Sequence, residues 1–228
     1  MTISLEICVD DLRGLQMAND AGVDRIELCS ALDQGGRTPT PELIAQARQA
    51  DVPIYAMIRP RGGDFVYSPD EIATMIASIQ TMKSAGFAGV VFGVLTPQNT
   101  LDQATLQRLC QAARGLDITL HRAVDASVNP VDCVEIAQNL GIRRILTSGG
   151  AATAPEGMDT LRKMMRSAGG AVDIMAGSGI TPATVTPVLQ AGLRHVHASC
   201  RMPCTICKET HISQTAVDQL KQAIAQFQ

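Results

Sequence analysis

The chain has no tryptophan, two tyrosines and four phenylalanines in 228 residues, so a surface that stacks nucleobases is hard to build from it. Cations are not in excess either. The net charge is -3 and no basic tract stands out, which removes the electrostatic footprint of a nucleic-acid binder. No apolar run approaches the roughly 18 residues that a bilayer requires, and no charged-then-apolar leader precedes the first strand-like run. A cytoplasmic protein with no membrane partner is expected. Cysteine is present but unpaired in pattern: seven residues, an odd number and mostly far apart, suit reduced thiols better than a disulfide framework. The length fits one compact domain, 1–228, with a sizeable core, and leaves a homo-oligomer open.

What is there is an alternation. Apolar runs of strand length fall at 3–9, 24–29, 53–58, 88–92, 117–122, 143–147, 172–176 and 194–198, with helical spacing between them. The clearest helix opens at Ser68-Pro69-Asp70-Glu71, an N-cap, a first-turn proline and a capping-box acid, and continues with Ile72, Met75, Ile76, Ile79 and Met82 on one stripe. That stripe reads as core. Thr40-Pro41 and Thr181-Pro182 predict further helix starts, and Gly22, Gly86, Gly141 and Gly192 fall where helices end. Val217, Leu220, Ile224 and Phe227 mark a last helix. Eight strand–helix units in this length predict an α/β fold, a single TIM (β/α)₈ barrel, rather than a doubly wound sheet.

In such a barrel chemistry sits where strands end. Glu-x-Cys ends two strands, as Glu6-Ile7-Cys8 and Glu27-Leu28-Cys29. Alternation puts each acid and its thiol on one face, and neighbouring strands about 4.8 Å apart would bring all four together. Burying them without a task is unfavourable. The other strand ends carry Ile58-Arg59-Pro60-Arg61-Gly62-Gly63-Asp64-Phe65, Leu120-His121-Arg122-Ala123-Val124-Asp125, Leu146-Thr147-Ser148-Gly149, Gly177-Ser178-Gly179 and His195-Val196-His197-Ala198-Ser199.

Leu5–Asp10, Asp24–Cys29, Ile58–Phe65, Leu120–Asp125, Ile145–Gly149 and His197–Ser199, in that order and running from strand one to strand eight, resemble the CutC family of copper homeostasis proteins. The resemblance implies a cytosolic TIM barrel, copper binding, and a part in copper homeostasis that is disputed within the family. Val124 departs from the aromatic usual there, and a Cys-rich segment at 200–211, before the last helix, is not associated with the family.

Cys8 and Cys29 match the positions that the family offers for copper, and two thiolates suit Cu(I); as small buried side chains they also read as ordinary core. Cys200, Cys204, Cys207 and His211 have the spacing of a structural zinc site, or are an irregular tail with adventitious thiols. Arg59, Arg61 and Arg122, with Ser148, the Gly177–Gly179 turn, His197 and Ser199, would line a seat for a small anionic molecule. His121 is the natural acid–base group, with Glu6 or Glu27 as partner or alternative base and Asp125 as an orienting acid. The competing function is therefore a lyase, aldolase or isomerase acting on a phosphorylated or carboxylated metabolite. No lysine stands at a strand end, which argues against Schiff-base chemistry.

Overall fold

The computed structural model describes residues 2–203 and 210–227. Eight parallel strands close into a barrel in sequence order: β1 (Ser4–Val9), β2 (Arg25–Leu28), β3 (Ile54–Met57), β4 (Gly89–Phe92), β5 (Asp117–Leu120), β6 (Arg144–Thr147), β7 (Asp173–Ala176) and β8 (His195–Ala198). Each predicted strand is present, trimmed at its ends. β5 loses two residues at one end, where His121 caps a 3₁₀ turn over Arg122–Ala126 instead of continuing the strand.

The surrounding helices are α1 (Leu12–Asp20), α2 (Pro41–Ala47), α3 (Pro69–Ala85), α4 (Gln103–Ala112), α5 (Asp132–Asn139), α6 (Met158–Ala168), α7 (Val185–Gln190) and α8 (Gln214–Ala225). The capping box of α3 forms in both directions between Ser68 and Glu71, and Ile72, Met75, Ile79 and Met82 are buried on its inner face. Gly86 ends α3 in the left-handed region at φ 81°, a conformation that a side chain would strain.

One helix start is corrected. α7 begins at Val185, not at Thr181-Pro182, because Thr181 and Thr184 close a turn of their own: the Thr184 hydroxyl accepts from Thr181 N–H at 2.9 Å and donates to the Gly179 carbonyl at 2.6 Å. The Gly177–Gly179 turn thus does not run into a helix N-terminus. Its glycines answer to packing instead. A Cβ at Gly177 would lie 2.4 Å from Leu146 Cδ1, and one at Gly179 2.8 Å from Thr153 Cβ.

Alternation along the strands divides two environments. Ile7, Ile26, Leu28, Ile54, Val90, Phe92, Leu120, Ile145 and Val196 join one continuous apolar layer with the helices. The opposite parity fills the barrel lumen, and it is unusually polar. Arg25 reaches from β2 to Met175 of β7, Tyr55 of β3 donates to Asp117 of β5 at 2.9 Å, and Arg25 and Arg144 both lie 5.6 Å from the Tyr55 ring centre. After β8, β9 (Arg201–Pro203) and β10 (Thr210–Ile212) pair antiparallel, and Arg201 bonds Asp10 at 2.6 Å, tying the pair to the end of β1.

Candidate functional site at the barrel mouth

The strands of the barrel are staggered, and the stagger sets which side chains meet. Glu6 is level with Arg25 on one side and with His197 on the other, whereas Cys8 is level with Glu27. The two Glu-x-Cys pairs are therefore out of step by two residues. Cys8, Glu27 and His197, all buried, form a group whose donor atoms lie within 4.8 Å of one another. Cys29 stands outside that trio, its thiol donating to Glu27 Oε2 at 3.4 Å. The thiol of Cys8 thus groups with an oxygen and a nitrogen.

His197 is held from behind. Its Nδ1 lies 2.8 Å from Glu6 Oε1, while Nε2 faces Glu27 Oε2 at 3.8 Å. Glu6 also accepts from Arg25 Nε at 3.1 Å. Burial alone would raise the Glu6 carboxyl, but the hydrogen bond and charge of His197, with Arg25 and Arg144, bring it down to about 2. Glu27 has no such support: burial, with Glu6 nearby, pushes it up to about 7 even though His197 opposes the shift. Burial works against a charge on His197, yet Cys8, Glu27 and Glu6 around it hold the imidazole above the usual histidine range. Burial, then the Glu27 carboxylate, push the Cys29 thiol well above the ordinary thiol range. Glu27 Oε1 is buried without a partner. A cleft of about 560 Å³ lined by Cys8, Asp10, Leu32, Asp33, Ser199, Arg201 and Thr210 borders the trio at Cys8.

The remaining sequence candidates separate into distinct settings. Arg59 is buried and binds the carbonyls of Gln34, Gly36 and Gly63. Arg61 turns outward, pairing with Asp64 at 2.9 Å and Glu71 at 2.6 Å, so it anchors the loop to α3 and does not line the mouth. Arg122 pairs with Asp125 at 2.8 Å and reaches Ser148 Oγ at 3.2 Å. Asp125 accepts from Thr147, Ser148 and Gly150 as well, and no hydrogen bond joins it to His121. The His121 ring accepts from Ala123 N–H at 3.2 Å, and burial, with Arg59 nearby, lowers its basicity to about 3; it is a neutral imidazole. Cys200 packs in the apolar core, and burial pushes its thiol up to about 12. His211 lies on β10 opposite Met202; Cys204 and Cys207 lie outside the described residues.

Sequence reasoning missed Arg25 as the counter-charge of Glu6, and missed Phe65 against His121 and Arg59. The signal for Arg25 was available, since it shares the parity of Glu27 on one strand.

The sequence model of the CutC family matches residues 3–202. The family protein CutC of Rhizobium meliloti strain 1021 is 48% identical over 199 residues, covering 87% of this chain and 81% of that protein. The family protein CutC of Photobacterium profundum is 42% identical over 201 residues, 87% and 82% of the two chains. Among solved structures, a CutC of Streptococcus agalactiae named for copper homeostasis superposes with a TM-score of 0.82 at 29% identity, covering 87% of this chain and 99% of that one.

Proposed function

This chain belongs to the CutC family, and on that premise we propose that it is a cytosolic copper-handling protein that takes Cu(I) as cargo at Cys8 and His197. One observation carries the reading: His197 is bonded through Nδ1 to a buried carboxylate, leaving Nε2 facing Cys8 and Glu27. A ring nitrogen tethered to an acid while the other points at further donors is the usual outer-shell arrangement of a metal-bound histidine. Thiolate and imidazole are donors that a soft monovalent ion accepts. Binding displaces two protons, that of the Cys8 thiol and the one that the surrounding anions hold on His197 Nε2; the orphaned oxygen of Glu27 takes up one, and the other leaves to solvent. The donor set thus fits the ion, and the cleft over Cys8 supplies a route in.

The test is an anaerobic Cu(I) titration against a chromophoric chelator. Cys8→Ser and His197→Asn should each weaken binding about 10- to 100-fold or more, and Cys29→Ser much less. Unchanged affinity in the Cys8→Ser/His197→Asn double variant would refute the assignment, and loss only on replacing Cys204 and Cys207 would move the ion to the segment before α8.

A second reading is favoured by Glu27 itself. An acid brought to about 7 beside an imidazole, at the mouth of a barrel, is poised for general acid–base catalysis on a small phosphorylated or carboxylated metabolite. Here the base is Glu27 and not His121, whose ring is neutral and too weakly basic. Mass-spectrometric turnover of metabolites that stabilise the protein thermally, abolished by Glu27→Gln, would select this reading; stabilisation without conversion would leave a binding protein.

A further inference from the structure

Beneath the loop from β3 to α3, apart from the Cys8–Glu27–His197 trio, three buried polar atoms have no partner: Arg59 Nε, His121 Nε2 and the Tyr67 hydroxyl. Arg59 is 5% exposed, and among the described residues no carboxylate pairs with it; its guanidinium bonds run to neutral carbonyls, with the neutral Tyr67 hydroxyl also close to it. Nη1 donates to Gln34 O at 2.9 Å and Gly36 O at 3.0 Å, and Nη2 to Gly63 O at 2.8 Å. The guanidinium is thereby fixed, its charge uncompensated and its Nε–H left over. A buried charge without a counter-charge is strongly disfavoured unless something supplies one.

His121 presents the second donor. Because Ala123 N–H donates to Nδ1, the ring of a neutral imidazole carries its proton on Nε2, and that N–H also lacks an acceptor. Its direction follows from β4. A Cβ at Gly93 would sit 2.7 Å from His121 Nδ1 and 2.8 Å from Cε1, so the ring leans from β5 across the place where a β4 side chain would stand, toward β3 and Arg59. Phe65 lies over both, its ring centre 4.9 Å from the His121 ring centre and 4.9 Å from Arg59 Cζ.

We propose that Arg59 Nε–H and His121 Nε2–H form the seat of an oxyanion, the carboxylate or phosphate of a small molecule, under the ring of Phe65. Two unpartnered N–H donors packed against one aromatic ring, one of them cationic, match a pair of anionic oxygens. A cation is repelled by the guanidinium, and a single water leaves that charge without a counter-charge. The seat is separate from the copper trio, so either assignment can fail without the other.

The test follows the ring ¹⁵N signals of His121 and the Nε–H signal of Arg59 in the full chain. Inorganic phosphate and, separately, sodium acetate are titrated at fixed pH and ionic strength against a sodium chloride control. Both signals should move together and saturate with one apparent affinity. Saturation by phosphate alone, or by acetate alone, supports the seat and identifies its ligand class. Arg59→Lys, which keeps the charge but loses the Nε–H, should weaken that affinity about tenfold or more. If that variant does not fold, the joint saturation in the unaltered protein decides alone. Signals that stay still, move linearly, or follow chloride equally overturn the proposal.

Discussion

β1 and β2 carry the same Glu-x-Cys pattern, yet the two strands deliver opposite chemistry. On β1 the acid is enclosed by Arg25 and His197 and stays ionised, and the thiol faces the cleft. On β2 the acid keeps an orphaned oxygen and is held near neutrality, and the thiol is sealed at the barrel wall, where a Cβ on Gly36 would sit 3.3 Å from its sulfur. The motif is identical; the neighbours are not. In a closed barrel each strand is displaced along its neighbour, so a repeated motif meets different partners at each turn. Chemistry follows register rather than pattern.

The largest expected effect separates the two acids. Glu6→Gln leaves Arg25 and a protonated His197 without their counter-charge, and should destabilise the fold by about 3–5 kcal/mol. Glu27→Gln resembles the protonated acid already present in much of the population at neutral pH, and should change stability by less than about 1 kcal/mol there. Urea melts of both variants at pH 7 check this, and equal losses would break the contrast.

The pH dependence sharpens it. Glu27 is raised from 4.5 to about 7 in the folded protein, so its contribution is fully present below pH 4.5 and is lost as pH rises through 7. Glu6 is lowered to about 2, so its contribution is present above 4.5 and lost as pH falls toward 2. The stability of the unaltered protein relative to Glu27→Gln should therefore fall between about pH 4.5 and 7, by at most about 1.4 kcal/mol per pH unit, and level off above. A flat difference would place Glu27 at an ordinary acidity.

A smaller effect concerns the thiols. Iodoacetamide at neutral pH, followed by peptide mass spectrometry, should label Cys8 at least about tenfold faster than Cys29, whose thiol is fully buried and held protonated. Comparable rates would mean that the wall around Cys29 opens as readily as the cleft over Cys8.

The barrel was legible because its rules are local. Strand parity, the Ser68–Glu71 capping box and the Met and Ile stripe of α3 each depend on neighbours in sequence, and each is present. The acids and thiols of the site were legible as residues but not as a set. That Cys8 is level with Glu27 depends on the stagger between strands, which no spacing within one strand reveals. Arg61 misled for a similar reason: its partner Glu71 lies on the helix that follows, and a surface ion pair leaves no pattern distinct from an anion clamp. Thr181-Pro182 has the look of a helix start, but the hydroxyl of Thr184 closes a tighter turn first.

Asp125 illustrates what a single carboxylate can do for architecture. β5 and β6 share two registered pairs, against four between β4 and β5 or between β6 and β7, which makes their junction one of the shortest ladders of the barrel. Asp125, just beyond β5, gathers the Thr147 hydroxyl and the amides of Ser148 and Gly150 from the end of β6. Protection of those two amides against hydrogen exchange thus depends on one side chain and not on a sheet ladder.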